Sequence, residues 1–124
     1  MTDSVPIATI NLIQRKIGMT KQLYLSGPMS GVKDLNKPLF NHYAKLLRKK
    51  GYKVVNPPEL DKHSPQRTWE GCLRRDIAEL LGCDKIATLP RWKKSRGASL
   101  EVHIGKQLKY VIRPVQYWVK RRVK

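Results

Sequence analysis

Acidic side chains are scarce in this sequence. Nine Asp and Glu stand against 26 Lys and Arg, a formal charge of +17 over 124 residues. A chain so short of carboxylates attracts phosphate, whether on nucleotides, on nucleic acid or on a membrane surface, and charge alone does not choose among the three. Cysteine is rarer still. Cys72 and Cys83 fall in or near one predicted helix, at a spacing that fits no zinc site. They read as reduced packing residues of a cytoplasmic protein. His42, His63 and His103 show no ligand spacing, so no metal is assigned, and His103 reads as a packing or surface residue. No apolar run is long enough to cross a bilayer. The opening Met1-Thr2-Asp3-Ser4 lacks the basic segment and apolar block of a secretory signal. No membrane partner is therefore expected. The glycines spell neither a Walker A loop nor a dinucleotide fingerprint, and no cofactor is expected.

What is present suffices for one domain with one core. Residues 1–20, with Ile10, Ile13 and Ile17 at helical spacing, read as an N-terminal extension. The domain proper spans 21–114. A basic tail occupies 115–124, and from Lys106 onward there are seven basic residues and no acidic ones. Within the domain, strands and helices alternate. Gln22 to Ser26 is a short apolar strand running into a Gly/Ser turn, Gly27-Pro28-Met29-Ser30-Gly31. Asn36 is placed to cap a helix that carries Phe40, Tyr43, Ala44, Leu46 and Leu47 and stops at Gly51. Tyr52 to Val55 is a second strand, ended by Asn56-Pro57-Pro58, and residues 59–67 read as loop. Thr68 caps a helix from Trp69 to about Leu81 with Leu73, Ile77, Leu80 and Leu81 inward. Lys85 to Leu89 is a third strand. A third helix runs from about Gly97 to Leu108 with Leu100, Ile104 and Leu108 inward, and Tyr110 to Ile112 is a fourth strand.

This alternation predicts a flavodoxin-like, doubly wound α/β fold. Four or five mostly parallel strands should have helices on both faces, with ligands at the carboxyl ends of the strands. The chain is organised around the stretch Leu89 to Gly105. There an apolar strand enters a basic loop, Ser95-Arg96-Gly97-Ala98 starts a helix, and Glu101 sits about one turn in. Gly97 and Gly105 lie four positions either side of Glu101, so the three share a helix face. A carboxylate flanked by glycines leaves room for a ligand to approach, although an ordinary solvated glutamate satisfies the same spacing. Asp76 lies beside the stripe of its own helix, where it can face the sheet edge or pair with Arg74 or Arg75. Ser26, Asp76 and Glu101 can thus converge on one crevice. Trp69, Trp92 and Trp118 can each stack on a base, and Trp92, in the basic loop, is the first choice.

Three segments carry a family resemblance. Tyr24-Leu25-Ser26-Gly27-Pro28-Met29-Ser30-Gly31 resembles the opening strand and loop of the nucleoside 2-deoxyribosyltransferase-like superfamily. Arg75-Asp76 followed by Cys83-Asp84-Lys85-Ile86 resembles its helix aspartate and third strand, and Ser95 to Gly105 resembles the segment holding its nucleophilic glutamate. The likeness covers roughly Lys21 to Ile112 and is strongest to a small-domain branch frequent in phage and prophage genomes. It implies that Glu101 is the nucleophile at the anomeric carbon of deoxyribose and that Asp76 holds or protonates the base. It also implies that Ser26, Gly27, Pro28 and Met29 line the sugar and base pocket. Transferases of this group carry an aspartate where this chain has Ser95. Serine there resembles the deoxynucleoside 5'-monophosphate N-glycosidases, which bind phosphate with it. Arg91, Lys93, Lys94 and Arg96 beside it, with Gly97 next in line, suit a phosphate. The resemblance therefore implies a hydrolase of deoxynucleotides or, failing that, a deoxyribosyl transferase. Relatives of this fold complete their pockets with a neighbour's residues, so a homo-oligomer is expected, with Tyr117 and Trp118 as apolar surface to be covered. A different class stays open on charge alone. It is a nucleic-acid- or protein-binding module on a catalytically retired version of the fold, with Tyr110, Tyr117 and Trp118 interleaved among the basic residues of the C-terminal segment.

Overall fold

The computed structural model describes residues 22–121. The N-terminal extension and residues 122–124 of the tail lie outside the described residues.

Four parallel strands form one sheet in the order β2-β1-β3-β4. They are β1 (Gln22–Ser26), β2 (Lys53–Val55), β3 (Cys83–Thr88) and β4 (Val111–Pro114). The helices are α1 (Lys37–Lys49), α2 (Pro57–His63), α3 (Trp69–Leu80), α4 (Arg96–Gln107) and α5 (Val115–Lys120). This is a doubly wound, flavodoxin-like α/β fold. Among the described residues no helix is long and apolar enough to cross a membrane.

The alternation of side chains along the central strands splits the core in two. Leu23, Leu25 and Ala87 face α1 and α5, where they pack with Phe40, Ala44, Leu47, Val115 and Trp118. Tyr24 and Ile86 face the other way, packing with Leu80 of α3, Val102 of α4 and Cys83 at the start of β3. A parallel strand covered on both faces has no polar side, and Leu23 through Ser26 are all buried.

Local signals place the ends of several helices. Thr68 caps α3, its hydroxyl accepting from the Gly71 amide at 2.9 Å, and Ser95 caps α4 by accepting from the Ala98 amide at 3.2 Å. Gly51, at φ +104°, ends the α1 turn in a conformation only glycine adopts freely.

Other expectations are corrected. Asn36 does not cap α1 with its side chain. It lies in a left-handed turn with Asp34 and Leu35, and its Nδ2 donates instead to the Pro28 carbonyl at 2.9 Å. Residues 57–63, within the stretch read as strand end and loop, form α2. Pro57 and Pro58 sit at its first positions, where no amide hydrogen is needed and their fixed φ suits a helix. The inward face of α4 is Ala98, Glu101, Val102 and Gly105; of the three residues expected inward, Ile104 packs against the core, whereas Leu100 and Leu108 are 40% and 49% exposed. On α3, Leu80 is buried as expected, but Leu81 is exposed and Asp76 buried. Finally, residues 115–120 of the basic tail are a docked helix. Trp118 is fully buried, its indole N–H donating to the carbonyls of Ile86 and Arg113, both at 3.2 Å. Of the two aromatics expected to offer an apolar surface, only Tyr117 is exposed.

Candidate active site

The same two-residue period that sorts the core builds the site. Tyr24 and Ser26, i and i+2 on β1, point to the face that α4 covers. Both reach Glu101. The Tyr24 hydroxyl donates to Oε2 at 2.6 Å and the Ser26 hydroxyl to Oε1 at 2.7 Å. Glu101 is only 5% exposed, and burial pushes its pKa up to about 7. The two hydroxyls pull the value back down, and the charge of Asp76 adds to the rise.

Asp76, from α3, is also buried, and its pKa is raised to about 6, chiefly by burial. The guanidinium of Arg75 opposes that rise from 3.0 Å, and itself binds Asp61 of α2 at 2.6 Å and the Ser64 carbonyl at 2.9 Å. Asp76 is thus both paired with an arginine and turned toward the site.

Asp76 and Glu101 line one cavity of about 490 Å³ at the carboxyl edge of the sheet. Its walls come from the loop after β1, the start of α2, the Thr68 corner and α3, and the start of α4. The first amides of a helix lack intrahelical acceptors, and the α4 N-terminus supplies such donors beside Lys94 and Arg96. The Arg96 guanidinium is stacked over the Trp69 ring, 4.0 Å from its centroid.

The glycines differ in what they do. A side chain on Gly105 would come within 2.5 Å of Ile86 Cδ1, so this glycine lets α4 lie close on the sheet rather than admitting a ligand. Gly97 has only ordinary contacts, at 3.7 Å and beyond, and lines the cavity. On Gly27 a Cβ would meet Leu89 Cβ at 2.6 Å, which locks the loop after β1 against the end of β3.

Of the residues singled out from sequence, Asp76, Glu101, Gly27, Met29, Ser95, Arg96 and Gly97 line this cavity, and Ser26 touches Glu101 beneath it. Pro28 is buried, and its carbonyl anchors Asn36. Trp92 is not among the lining residues. It packs against the core around Tyr24, Leu80 and Val102, with Lys93 over its ring at 5.8 Å. Trp69 is the tryptophan that faces the cavity. Of the basic loop only Lys94 and Arg96 line it, joined by Arg67 and Arg75 from elsewhere. Sequence reading missed Tyr24, although its i−2 relation to Ser26 signals a shared face. It also missed Leu35 and Cys72 in the wall, for which no sequence signal exists. Among the described residues no group of three or more His, Cys, Asp or Glu is arranged to hold a metal.

No curated protein matches the sequence. Residues 21–113 match the model of the family described as a domain of unknown function, DUF4406, and the chain belongs to that family.

Proposed function

We propose that the protein is an N-glycosidase-type hydrolase that cleaves the bond between base and deoxyribose in a deoxynucleoside 5'-monophosphate. One observation carries the reading. Two buried carboxylates from different helices, Glu101 and Asp76, line a single cavity whose rim is a helix N-terminus bearing Ser95, Lys94 and Arg96. Two acidic groups on different helices in one polar-rimmed pocket suit glycosidic cleavage, and the basic rim suits the 5'-phosphate.

In the proposed reaction an ionised Glu101 attacks C1' of the sugar. The bond to the base breaks and its electron pair leaves on the base nitrogen. A protonated Asp76 supplies the proton that neutralises it. Water then attacks the glycosyl ester at C1', releasing deoxyribose 5-phosphate and freeing Glu101, its proton passing to Asp76. A second base in place of water would make the same enzyme a transferase. The serine at position 95 favours the hydrolase, because its hydroxyl can accept from Ala98 and still donate its own proton to phosphate.

The test is incubation with a panel of deoxynucleoside 5'-monophosphates and chromatography for free base. Base release by the wild type should fall at least ~100-fold in Glu101→Gln, which has similar volume but no charge to offset an oxocarbenium-like centre. Absence of base release from every deoxynucleotide would overturn the reading.

A further inference from the structure

The distribution of charge between the two helical layers points to a second site. From Leu35 to Pro58 and from Val102 to the end of the chain there is no Asp or Glu. In the fold these two stretches meet. The helices α1 and α5 lie side by side on one face of the sheet, sharing the core around Trp118. Gln116 donates to the Tyr43 hydroxyl at 2.8 Å, and Tyr52 meets Trp118 edge-on at 5.8 Å. The carboxylates of the described residues lie instead on α2, α3, α4 and the start of β3, apart from Asp34.

The α1–α5 layer and its borders carry Lys37, Lys45, Arg48, Lys49, Lys50, Lys53, Arg113, Lys120 and Arg121. Among the described residues only Arg48 of these has an ion-pair partner, Glu59 at 2.7 Å. In the middle of this charge stands one exposed aromatic ring. Tyr117 is 42% exposed, with the guanidinium carbons of Arg113 and Arg121 at 5.7 and 5.9 Å from its centroid. The exposed aliphatic side chains, Leu35, Leu81, Leu100, Leu108 and Val111, are on the turn before α1, on α3, α4 and β4 and after them. Among the described residues α1 and α5 themselves thus expose no large aliphatic side chain to insert into a bilayer, Leu35 and Val111 lying at the borders.

We propose that the α1–α5 face binds single-stranded nucleic acid, with Tyr117 as the stacking surface for a base and Arg113 and Arg121 holding the phosphates on either side. A carboxylate-free layer raises the local concentration of a polyanion, and an aromatic flanked by cations gives each nucleotide both a π-face and a counter-charge. This surface does not depend on the chemistry of the Glu101 cavity.

Fluorescence anisotropy of the full chain with a labelled oligothymidylate of about 20 nucleotides tests it. Binding is expected on the order of micromolar at low salt, weakening by a log–log slope of about −0.7 for each phosphate contacted. Tyr117→Ala, at an exposed position, should weaken it about 10-fold. Arg121→Glu should weaken it at least about 10-fold, whereas Arg74→Glu on α3, the same change in net charge, should change it less than about twofold. Equal losses in the two arginine variants would reduce the effect to net charge and overturn the proposal. So would no binding at tens of micromolar protein, or displacement of the oligonucleotide by a deoxynucleoside monophosphate, which would move the contact to the cavity. Preference for vesicles rich in anionic phospholipid, undiminished by Tyr117→Ala, would assign the face to a membrane surface instead.

Discussion

The hydroxyl of Tyr24 lies 2.6 Å from Oε2 of Glu101, a buried hydrogen bond that joins the first strand of the sheet to the inward face of α4. It has a consequence for both partners. Burial and the facing carboxyl raise the Tyr24 pKa well above the ordinary phenol value, so its proton stays in place as Glu101 ionises. The tyrosine is thus a permanent donor to a carboxylate that is otherwise kept from water.

The first prediction concerns stability. The Glu101 pKa is raised to about 7 from an ordinary 4.5, so the folded state keeps a proton that the unfolded chain has released. The stabilisation is fully present below 4.5 and is lost as pH rises to about 7, and Asp76 adds the same sign between 3.8 and about 6. Glu101→Gln should therefore be more stable than the wild type at about pH 8, by on the order of 3 kcal/mol, with the gap closing toward about pH 4.5. Thermal melts of both proteins across this range check it. A variant less stable than the wild type at the alkaline end would mean that the two hydroxyls outweigh the cost of burial.

The second prediction is a pH profile for base release. The proposed reaction needs Glu101 ionised and Asp76 protonated, with values of about 7 and about 6. The pair then works in the less populated of its singly protonated forms. A narrow bell in kcat/KM should result, with both limbs between about pH 6 and 7, shared by the pair rather than owned by either residue. In Asp76→Asn the alkaline limb should vanish along with most of the rate. A wild-type profile flat from about pH 5 to 8 would contradict these roles.

The third prediction separates two duties of Ser95. Its hydroxyl caps α4 through the Ala98 amide, so Ser95→Ala should lose about 1 kcal/mol of stability in addition to phosphate affinity. Ser95→Asp keeps a good cap but sets a negative charge where the phosphate is proposed to bind. It should melt like the wild type yet lose at least about 10-fold in kcat/KM for the nucleotide, with the nucleoside much less affected. Parallel losses on nucleotide and nucleoside would remove Ser95 from phosphate recognition.

The fourth prediction concerns the C-terminal helix. Trp118 is fully buried and its indole N–H is satisfied by two backbone carbonyls. Trp118→Ala should destabilise the protein by about 3–5 kcal/mol, measured by urea unfolding, while Tyr117→Ala should stay within about 1 kcal/mol of the wild type. Similar small losses in both would mean that α5 is dispensable to the fold.

Much of the site was legible because its signals are local. Ser95 and Thr68 are good caps, and Gly51 stops a helix, for reasons contained within a few residues of each. Glu101 stood out between Gly97 and Gly105, four positions either side, and Asp76 by its place beside the apolar stripe of its own helix. Trp69 and Trp92 are equally aromatic, and which of them faces the cavity depends on where α3 and the loop after β3 come to rest.

By itself the sequence determined the alternation of strands and helices, and with it a parallel sheet whose loops meet at one edge. Short apolar strands and capped helices leave few other topologies. Only the tertiary structure decided which side of each element turns inward. Leu100, Ile104 and Leu108 recur at helical spacing along α4 and its end, but the sheet took the face bearing Ala98, Glu101, Val102 and Gly105, with only Ile104 of the three packed on the core. The small residues on that face let the helix lie so close to the sheet that a Cβ on Gly105 would come within 2.5 Å of Ile86 Cδ1, and at that distance the hydroxyls of Tyr24 and Ser26 satisfy a buried carboxylate. Likewise, residues 115–120 read as a charged tail until α1 and the sheet offered Trp118 an apolar seat, with one carbonyl each from β3 and β4. Periodicity says which residues share a face. What that face meets is settled by the fit between elements far apart in the chain.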